Sequence, residues 1–191
     1  MTISTRCWRA VAVLVALQAA LVALALAGLA RADEQSPTLR ILLSVPRHTS
    51  DHAEEDGTRR ARLEGIADAI DTATPHPHER ALLLSVGWWE SRWSSAVGAG
   101  DHLGDEGRAR GYWQQWGLTE DATLEHQADR AIRLLRYHAR RCGAPGLASG
   151  TSVRAAVSGY ATGGRLCRWS GAEKRVQTWR RYLARTGGAN G

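Results

Sequence analysis

A glutamate closes an apolar stretch of the chain that has helical periodicity. Residues 82–90 are LLLSVGWWE, and a period of 3.6 residues puts Leu82, Val86 and Trp89 on one stripe with Glu90 at its edge. Burying a charge costs several kcal/mol unless the charge is paired or neutralised. A carboxyl group in a Trp-rich wall is therefore expected to keep its proton, as a general acid must. The simpler interpretation, a solvated glutamate on the polar edge of a core helix, stays open at this point.

A second group of candidates lies in residues 100–116, GDHLGDEGRARGYWQQW. Its first part is rich in glycine and acidic residues, which predicts a loop or an irregular hairpin rather than a helix. Its second part is aromatic and carries Gln114 and Gln115. Flat aromatic faces with amide groups suit a sugar, which has apolar ring faces and a rim of hydroxyl groups. Asp105 is the candidate second acid, with Asp101 as a fallback, and the alternative for both is a loop aspartate that bonds its own backbone.

Taken together, these residues resemble the lysozyme superfamily, in particular bacterial lytic transglycosylases and goose-type lysozymes. The run 90–93, ESRW, followed by AV at 96–97, is similar to the transglycosylase signature E-S-x-(aromatic)…A-V, whose glutamate is the catalytic acid. The run 111–114, GYWQ, is similar to the G-L-M-Q element that lines the cleft in that family, with Tyr-Trp in place of Leu-Met. Residues 104–107, GDEG, precede it in the order of the goose-type G-D-x-G…G-L-M-Q stretch, whose aspartate is a second acidic site residue.

A last element of the resemblance is residues 157–164, VSGYATGG. They look like a degenerate form of the family's A-A-Y-N-A-G element, whose tyrosine contacts the catalytic glutamate. Ala161 stands where the family has asparagine. The resemblance covers roughly residues 78–183, and the stretch from Glu90 to Gly111 is longer than in either family.

The resemblance implies a mainly α, lysozyme-like single domain with a small β-hairpin beside the cleft, placed after an N-terminal signal or anchor segment. It also implies a peptidoglycan-cleaving glycosidase that acts on the β-1,4 bond between N-acetylmuramic acid and N-acetylglucosamine. By position, the catalytic residues are Glu90 and Asp105, and the substrate-binding residues are Ser91, Gly111, Tyr112, Gln114 and Tyr160.

Two mechanisms are compatible with this resemblance. In a lytic transglycosylase, which the run 90–93 favours, Glu90 acts first as acid and then as base while the muramoyl 6-hydroxyl closes a 1,6-anhydro ring. In a goose-type lysozyme, Asp105 positions an attacking water. Neither mechanism requires a metal or an organic cofactor. Two alternatives without enzymatic activity remain: a glycan-binding module that kept the fold, and a membrane-anchored assembly protein facing the periplasm.

The N-terminus indicates export. Arg6 and Arg9 precede a mostly apolar run over residues 10–30, and residues 30–32, ARA, offer small side chains at the two positions that a signal peptidase recognises. We predict that residues 1–32 are a signal peptide or an uncleaved membrane anchor, because the run is also long enough to span a bilayer. Either way we expect a periplasmic or extracellular domain, associated with a membrane through residues 10–30 if the anchor is retained.

Cysteine usage agrees with export. Of the three cysteines, Cys7 falls in the segment predicted to be removed or held at the membrane, which leaves Cys142 and Cys167. One pair in a chain bound for an oxidising compartment predicts a disulfide, and two free buried thiols are the alternative. A zinc site fits poorly, because two isolated cysteines lack the required ligand set.

Composition divides the remainder into three parts. Residues 33–57 are polar and acidic and predict a linker or arm, of which residues 39–45 are apolar enough to pack back on the domain. The lysozyme-like catalytic domain is expected over 58–186 and a tail over 187–191. Helical periodicity predicts helices over 58–73, 78–93, 122–141, 151–160 and 172–185, and a small hairpin is expected near 98–115.

Charge and composition limit the partners. The formal charge is +6, and three of the arginines lie in the first 32 residues, so the remainder is mildly basic. A weak positive field suits an anionic polymer such as the peptidoglycan glycan strands. No nucleic-acid-binding motif is present, so we expect no nucleic-acid partner, and we expect a monomer. On the predicted helices, His138 is expected to pack at an edge, and the arginines of 172–185 are expected to face solvent.

Overall fold

The computed structural model describes residues 35–187 and the single residue Gln18. The chain divides into two units, Met1–Gln35 and Ser36–Gly191, and all that follows concerns the second. The predicted signal or anchor segment, residues 1–32, lies outside the described residues apart from Gln18. Within the described part of the chain, no helix is both long enough and apolar enough to cross a membrane.

The second unit is mainly helical, and a small antiparallel sheet is its only sheet within residues 35–187. The mainly α class and the small hairpin predicted from the sequence are therefore confirmed. The strands are β1 (Ala109–Arg110) and β2 (Gln115–Trp116), and short 3₁₀ turns lie at Thr49–Asp51 and Asp105–Gly107. The seven α-helices of this part are α1 (Pro37–Ser44), α2 (Asp56–Ala73), α3 (Pro77–Ser91), α4 (Ser95–Ala99), α5 (Leu124–Arg141), α6 (Gly150–Ala161) and α7 (Ala172–Arg185).

Helix α3 is the central element of the core. Residues 81–87 are all buried, and the helix packs mainly against α7, while α5 packs against α2 and α6. A helix that is apolar on nearly every side must be surrounded by other elements. The apolar run thus anchors Glu90, which follows it by one turn, in a place set by the whole core.

Proline and hydroxyl side chains mark the starts of several helices. Pro37 and Pro77 occupy the first turn of α1 and α3, where a missing N–H group costs nothing. The side-chain oxygens of Ser36, Thr123 and Ser149 accept hydrogen bonds from backbone N–H groups in the first turns of α1, α5 and α6. Of the capped helices, α6 ends at the site described below.

The segment expected as a linker or arm, residues 33–57, contains an ordered helix. Ile41 and Leu42 of α1 are buried in the core. Further on, the buried carboxylate of Asp51 accepts hydrogen bonds from the backbone N–H and the hydroxyl of Ser95 at the start of α4. Although the segment is polar on average, residues 37–44 form a short amphipathic helix. The free energy gained by burying its apolar face is larger than the cost of ordering the polar residues beside it.

The predicted disulfide is present. Cys142, at the C-terminal cap of α5, is bonded to Cys167 in the connection between α6 and α7, with Cα atoms 5.5 Å apart. A disulfide is typical of an exported protein. The bond holds the connection that follows Tyr160 against the end of α5.

Candidate active site

A cleft of about 870 Å³ opens where the end of α3, the hairpin, α5, α6 and the connection to α7 meet. Four residues predicted from the sequence line it together: Glu90, Asp105, Gln114 and Tyr160. They come from separate parts of the chain, so only the tertiary structure brings them to one surface. The other three predicted binding residues, Ser91, Gly111 and Tyr112, are buried and lie outside the lining of the cleft.

Glu90 sits in the last turn of α3 with its side chain 20% exposed. Its Oε1 accepts a hydrogen bond from Arg175 Nη2 of α7 at 2.9 Å. The carboxyl end of a helix carries partial negative charge that disfavours a carboxylate there, and the arginine offsets this repulsion. The guanidinium lies over Trp89 and Trp169, with its carbon 5.5 Å and 4.9 Å from the ring centroids. The Trp-rich wall expected beside Glu90 therefore also contains a cation, which the sequence analysis did not expect there.

Two residues of the turn after Glu90 have left-handed backbone conformations. Arg92 and Trp93 have φ angles of 54° and 59°, so α3 ends at Ser91 and not at residue 93 as predicted. The Ser91 hydroxyl donates to the Gly87 carbonyl and accepts from the Trp93 N–H. The Trp93 ring then lies directly on Gly87, where an added Cβ would come within 2.0 Å of it. Ser91 thus stabilises the turn that positions the glutamate.

Asp105 also lines the cleft, on the exposed 3₁₀ turn before β1. Its Oδ2 accepts a hydrogen bond from the indole N–H of Trp116 on β2. The Trp116 side chain is 53% exposed, and the guanidinium of Arg108 stacks on it with 4.6 Å between carbon and ring centroid. The three side chains form a polar and aromatic rim in which the exposed indole face suits a sugar ring.

The GYWQ run forms the loop between the two strands, and its residues have different roles. Gln114 lines the cleft, with its side-chain amide donating to the Gly111 carbonyl at 3.0 Å. Gly111 has φ 74° and no room for a side chain, because an added Cβ would lie 2.3 Å from Gln127 Oε1. Tyr112 packs into the core with its ring centroid 5.9 Å from that of Trp93. Gly111 and Tyr112 therefore hold the hairpin in place.

Tyr160, at the end of α6, faces the same cleft as Glu90. Its hydroxyl donates to the Trp113 carbonyl, so the hydrogen bond tethers α6 to the hairpin. Burial raises the pKa of Tyr160 well above its ordinary value, and the nearby charge of Glu90 raises it further. The phenol is neutral in this position. The resemblance implies contact of this tyrosine with the glutamate, and the observed hydrogen bond goes to Trp113 instead.

Basic residues of the cleft are the main feature that the sequence analysis missed. Arg175 was expected to face solvent with the other arginines of α7, but it points inward to Glu90. A signal was present, because Arg175 is three residues after Ala172 and four before Trp179, both buried on the same helix face. Arg108, Arg130 and Arg165 also line the cleft.

His138 is a further lining residue, although the sequence suggested only packing at a helix edge. Its residue exposure is 8%. Burial lowers the pKa of His138 below its ordinary value, and the charge of Arg141 lowers it further. A neutral imidazole therefore forms part of the wall.

Comparison with known proteins adds no assignment. No family model, curated protein or solved structure matches the chain. Within the described residues, no group of three or more histidine, cysteine or acidic side chains is arranged as a metal site.

Proposed function

We propose that this protein is a peptidoglycan-cleaving glycosidase that cuts the β-1,4 bond between N-acetylmuramic acid and N-acetylglucosamine, with Glu90 as general acid and base. The observation that carries the proposal is the meeting of Glu90, Asp105, Gln114 and Tyr160 in one cleft. These residues were selected by a sequence resemblance in which they share a site, and they lie on four different structural elements: the end of α3, a 3₁₀ turn, the hairpin loop and the end of α6. The volume of about 870 Å³ suits a ligand of several sugar rings.

The geometry of Glu90 supports a role in proton transfer. Arg175 engages Oε1, so Oε2 is the oxygen available to deliver a proton to the glycosidic oxygen of the leaving N-acetylglucosamine. The bond from that oxygen to C1 of the muramoyl ring breaks as the proton arrives, leaving an oxocarbenium-like centre. Glu90, now a carboxylate, then accepts a proton from the group that attacks C1.

The attacking group separates two forms of this activity. In the lytic transglycosylase form, which we favour on the ESRW signature, the muramoyl 6-hydroxyl attacks C1 and closes a 1,6-anhydro ring. In the hydrolase form, a water attacks and Asp105 positions it. The second form deserves a test because Asp105 lines the same cleft as Glu90. Its carboxylate already accepts the Trp116 N–H, which suits a contact with a sugar in the first form.

The test is Glu90→Gln, assayed by release of soluble muropeptides from purified cell walls. Glutamine keeps the shape but delivers no proton, so we expect a loss of activity of about 10²–10⁴-fold, the usual range for one general acid. Glu120→Gln, an exposed glutamate outside the cleft lining, is the matched control and should behave like the wild type.

The products of the same assay distinguish the two forms. Mass spectrometry of the muropeptides separates an anhydro end from a reducing end, because the two differ by one water. Near-normal release by Glu90→Gln would remove this residue from the acid role. Binding to cell walls without release, in the wild type as well, would indicate a glycan-binding module instead.

A further inference from the structure

Two successive residues after the last turn of α3 have a backbone conformation that is rare outside glycine. Arg92 and Trp93 have φ angles of 54° and 59°, in the left-handed region where a side chain crowds the backbone. Residues other than glycine remain there only when the surrounding structure holds them. The turn that follows Glu90 therefore depends on contacts with other parts of the chain.

Those contacts come from the segment that the sequence predicted to be a linker or arm, and from the helix after it. The backbone N–H of Ser95 donates to both carboxylate oxygens of Asp51, at 3.2 and 3.0 Å, and the Ser94 hydroxyl donates to the same carboxylate. The Trp93 carbonyl accepts a hydrogen bond from Arg62 Nη1 of α2 at 2.6 Å. Asp51 and Arg62 therefore bind three consecutive residues of the turn.

Asp51 and Arg62 belong to one buried ionic cluster with Glu54. The side chains of Asp51, Glu54 and Arg62 are 2%, 9% and 16% exposed. Arg62 Nε and Nη2 donate to the two carboxylate oxygens of Glu54 at 2.8 and 2.7 Å, and Nη2 lies 3.5 Å from Asp51 Oδ2. A bidentate pair fixes the plane of the guanidinium group. Arg62 Nη1 is thereby fixed against the Trp93 carbonyl.

Arg62 is also a neighbour of Tyr112 in the hairpin loop that carries Gln114 of the cleft lining. Burial raises the pKa of Tyr112, and the nearby charge of Arg62 opposes this rise. The phenol ring lies on Gly98 of α4, where an added Cβ would be 2.2 Å from the hydroxyl oxygen. The same cation therefore lies beside the hairpin loop and binds the turn after Glu90.

We infer that Arg62 and Asp51 are positioning residues, which hold the turn at residues 92–95 and thereby set the place of the Glu90 carboxyl group in the cleft. Neither residue lines the cleft, so they act through the turn and not on a bound ligand. Without Arg62 the left-handed turn relaxes, and Glu90 loses its alignment with Arg175. The consequence for cleavage rests on the proposed function, whereas the placement of the carboxyl group does not.

The first test follows the Glu90 carboxyl group by NMR and does not rely on cleavage. Protein labelled with ¹³C at the glutamate Cδ gives one carboxyl signal for each glutamate, and the Glu90 signal is the one absent from Glu90→Gln. Its position depends on the hydrogen bonds that the carboxylate accepts. In Arg62→Gln we expect this signal to shift toward that of the exposed Glu120, because the contact with Arg175 is weakened.

The second test is cleavage of soluble oligomers of the N-acetylglucosaminyl-N-acetylmuramic acid repeat. A misplacement of about 1 Å can reduce a rate by about 10²-fold. In Arg62→Gln we therefore expect kcat to fall by at least about 10-fold, with KM near the wild-type value because the residues that line the cleft are unchanged. Arg62→Lys keeps the charge and one donor for the Trp93 carbonyl, so it should recover part of kcat.

Arg60→Gln is the matched control for both tests. Arg60 lies on the same helix, is exposed and pairs with Glu64, so its substitution should leave the Glu90 signal and kcat at wild-type values. Thermal melts define a temperature at which each variant is folded, and cleavage is expressed per folded molecule. If Arg62→Gln does not fold, Asp51→Asn is the second variant and should shift the Glu90 signal in the same direction.

The outcomes separate this inference from the proposed function. A Glu90 signal at its wild-type position in folded Arg62→Gln overturns the inference, whether or not the wild type cleaves cell walls. An equal shift in Arg60→Gln also overturns it, because the loss of any positive charge on α2 would then explain the shift. Wild-type kcat per folded molecule in Arg62→Gln overturns it as well. A shifted signal in Arg62→Gln alone, without cleavage by the wild type, supports the positioning role and rejects the glycosidase.

Discussion

Helix α3 carries a glutamate–arginine pair near each end, and the two pairs differ in nearly every physical respect. At the start of the helix, Glu79 is 6% exposed, and Arg136 of α5 binds both of its oxygens, with Nε 2.9 Å from Oε1. The Thr74 hydroxyl donates to the same carboxylate. At the end of the helix, Glu90 accepts one hydrogen bond, from Arg175, among the described residues and faces the cleft.

The helix dipole acts on the two carboxylates with opposite sign. It favours the negative charge of Glu79 in the first turn and disfavours that of Glu90 in the last turn. Burial raises the pKa of Glu79, but the hydrogen bonds from Arg136 and Thr74 outweigh it, so the pKa lies below its ordinary value of 4.5. The Glu79 pair is complete and stabilises the fold. The Glu90 pair is open on the side of the cleft.

The strongest test of this contrast in stability is Glu79→Gln. Breaking a fully buried pair costs about 3–5 kcal/mol, and because the Arg136 side chain is 35% exposed we expect about 2 kcal/mol. Urea denaturation measures the loss, and cleavage per folded molecule should stay close to that of the wild type. A Glu79→Gln protein as stable as the wild type would show that the closed pair contributes nothing to the fold.

Removal of the cation at the other end should have a smaller effect on stability. Arg175→Leu leaves the Glu90 carboxylate without its donor, and we expect a cost of about 1 kcal/mol because that group is partly exposed. Cleavage should also fall, since Glu90 loses the contact that orients it. Lys174→Leu, at an exposed neighbouring position on α7, is the control for both measurements. Unchanged cleavage in Arg175→Leu would argue against a positioning role for Arg175.

The lowered pKa of Glu79 predicts how stability depends on pH. Its contribution is complete above about pH 4.5, the ordinary value, where the group is ionised in both folded and unfolded chains. As the pH falls, the unfolded chain takes up the proton first, and the contribution is lost as the pH passes through the lower pKa of the folded state. Urea midpoints measured below pH 4.5 should therefore decline more steeply in the wild type than in Glu79→Gln. Parallel declines would assign acid lability to other groups.

The smallest expected effect is that of Asp105→Asn on cleavage. In the favoured transglycosylase form no water attacks, so the change should alter sugar contacts at the rim and cost little activity. The anhydro product should persist, as mass spectrometry of muropeptides would show. Loss of most activity, together with reducing-end products in the wild type, would instead support the hydrolase form.

Local patterns were sufficient to predict the five longer helices, α2, α3, α5, α6 and α7. The period of residues 82–90 requires a buried helix, and burial of that helix determines where Glu90 emerges. The helix 172–185 was predicted with the ends that the structure gives to α7. The cysteine pair could be inferred by counting, because setting aside Cys7 in the predicted signal or anchor segment leaves two thiols, and one bond between them satisfies both.

In the hairpin, the local sequence pattern was not sufficient to predict which side chains are buried and which are exposed. Its loop and second strand hold three aromatic side chains in five residues, and composition does not tell which of them face the cleft. In the structure Tyr112 and Trp113 enter the core and Trp116 is exposed beside Asp105. Positive φ angles at Gln114 and at Asp105 reverse the chain direction in ways that no alternation of polar and apolar residues predicts.

The sequence by itself determined the helical class, the disulfide and the candidacy of Glu90, because each depends on periodicity or on the count of a residue type. The tertiary structure alone decided that Arg175 turns inward and that Gln115, Arg130 and His138 share one cleft. The physical reason is that an arginine on a helix surface looks the same in sequence whether it meets solvent or a carboxylate from another helix. Only the packing of α7 against α3 gives Arg175 its partner.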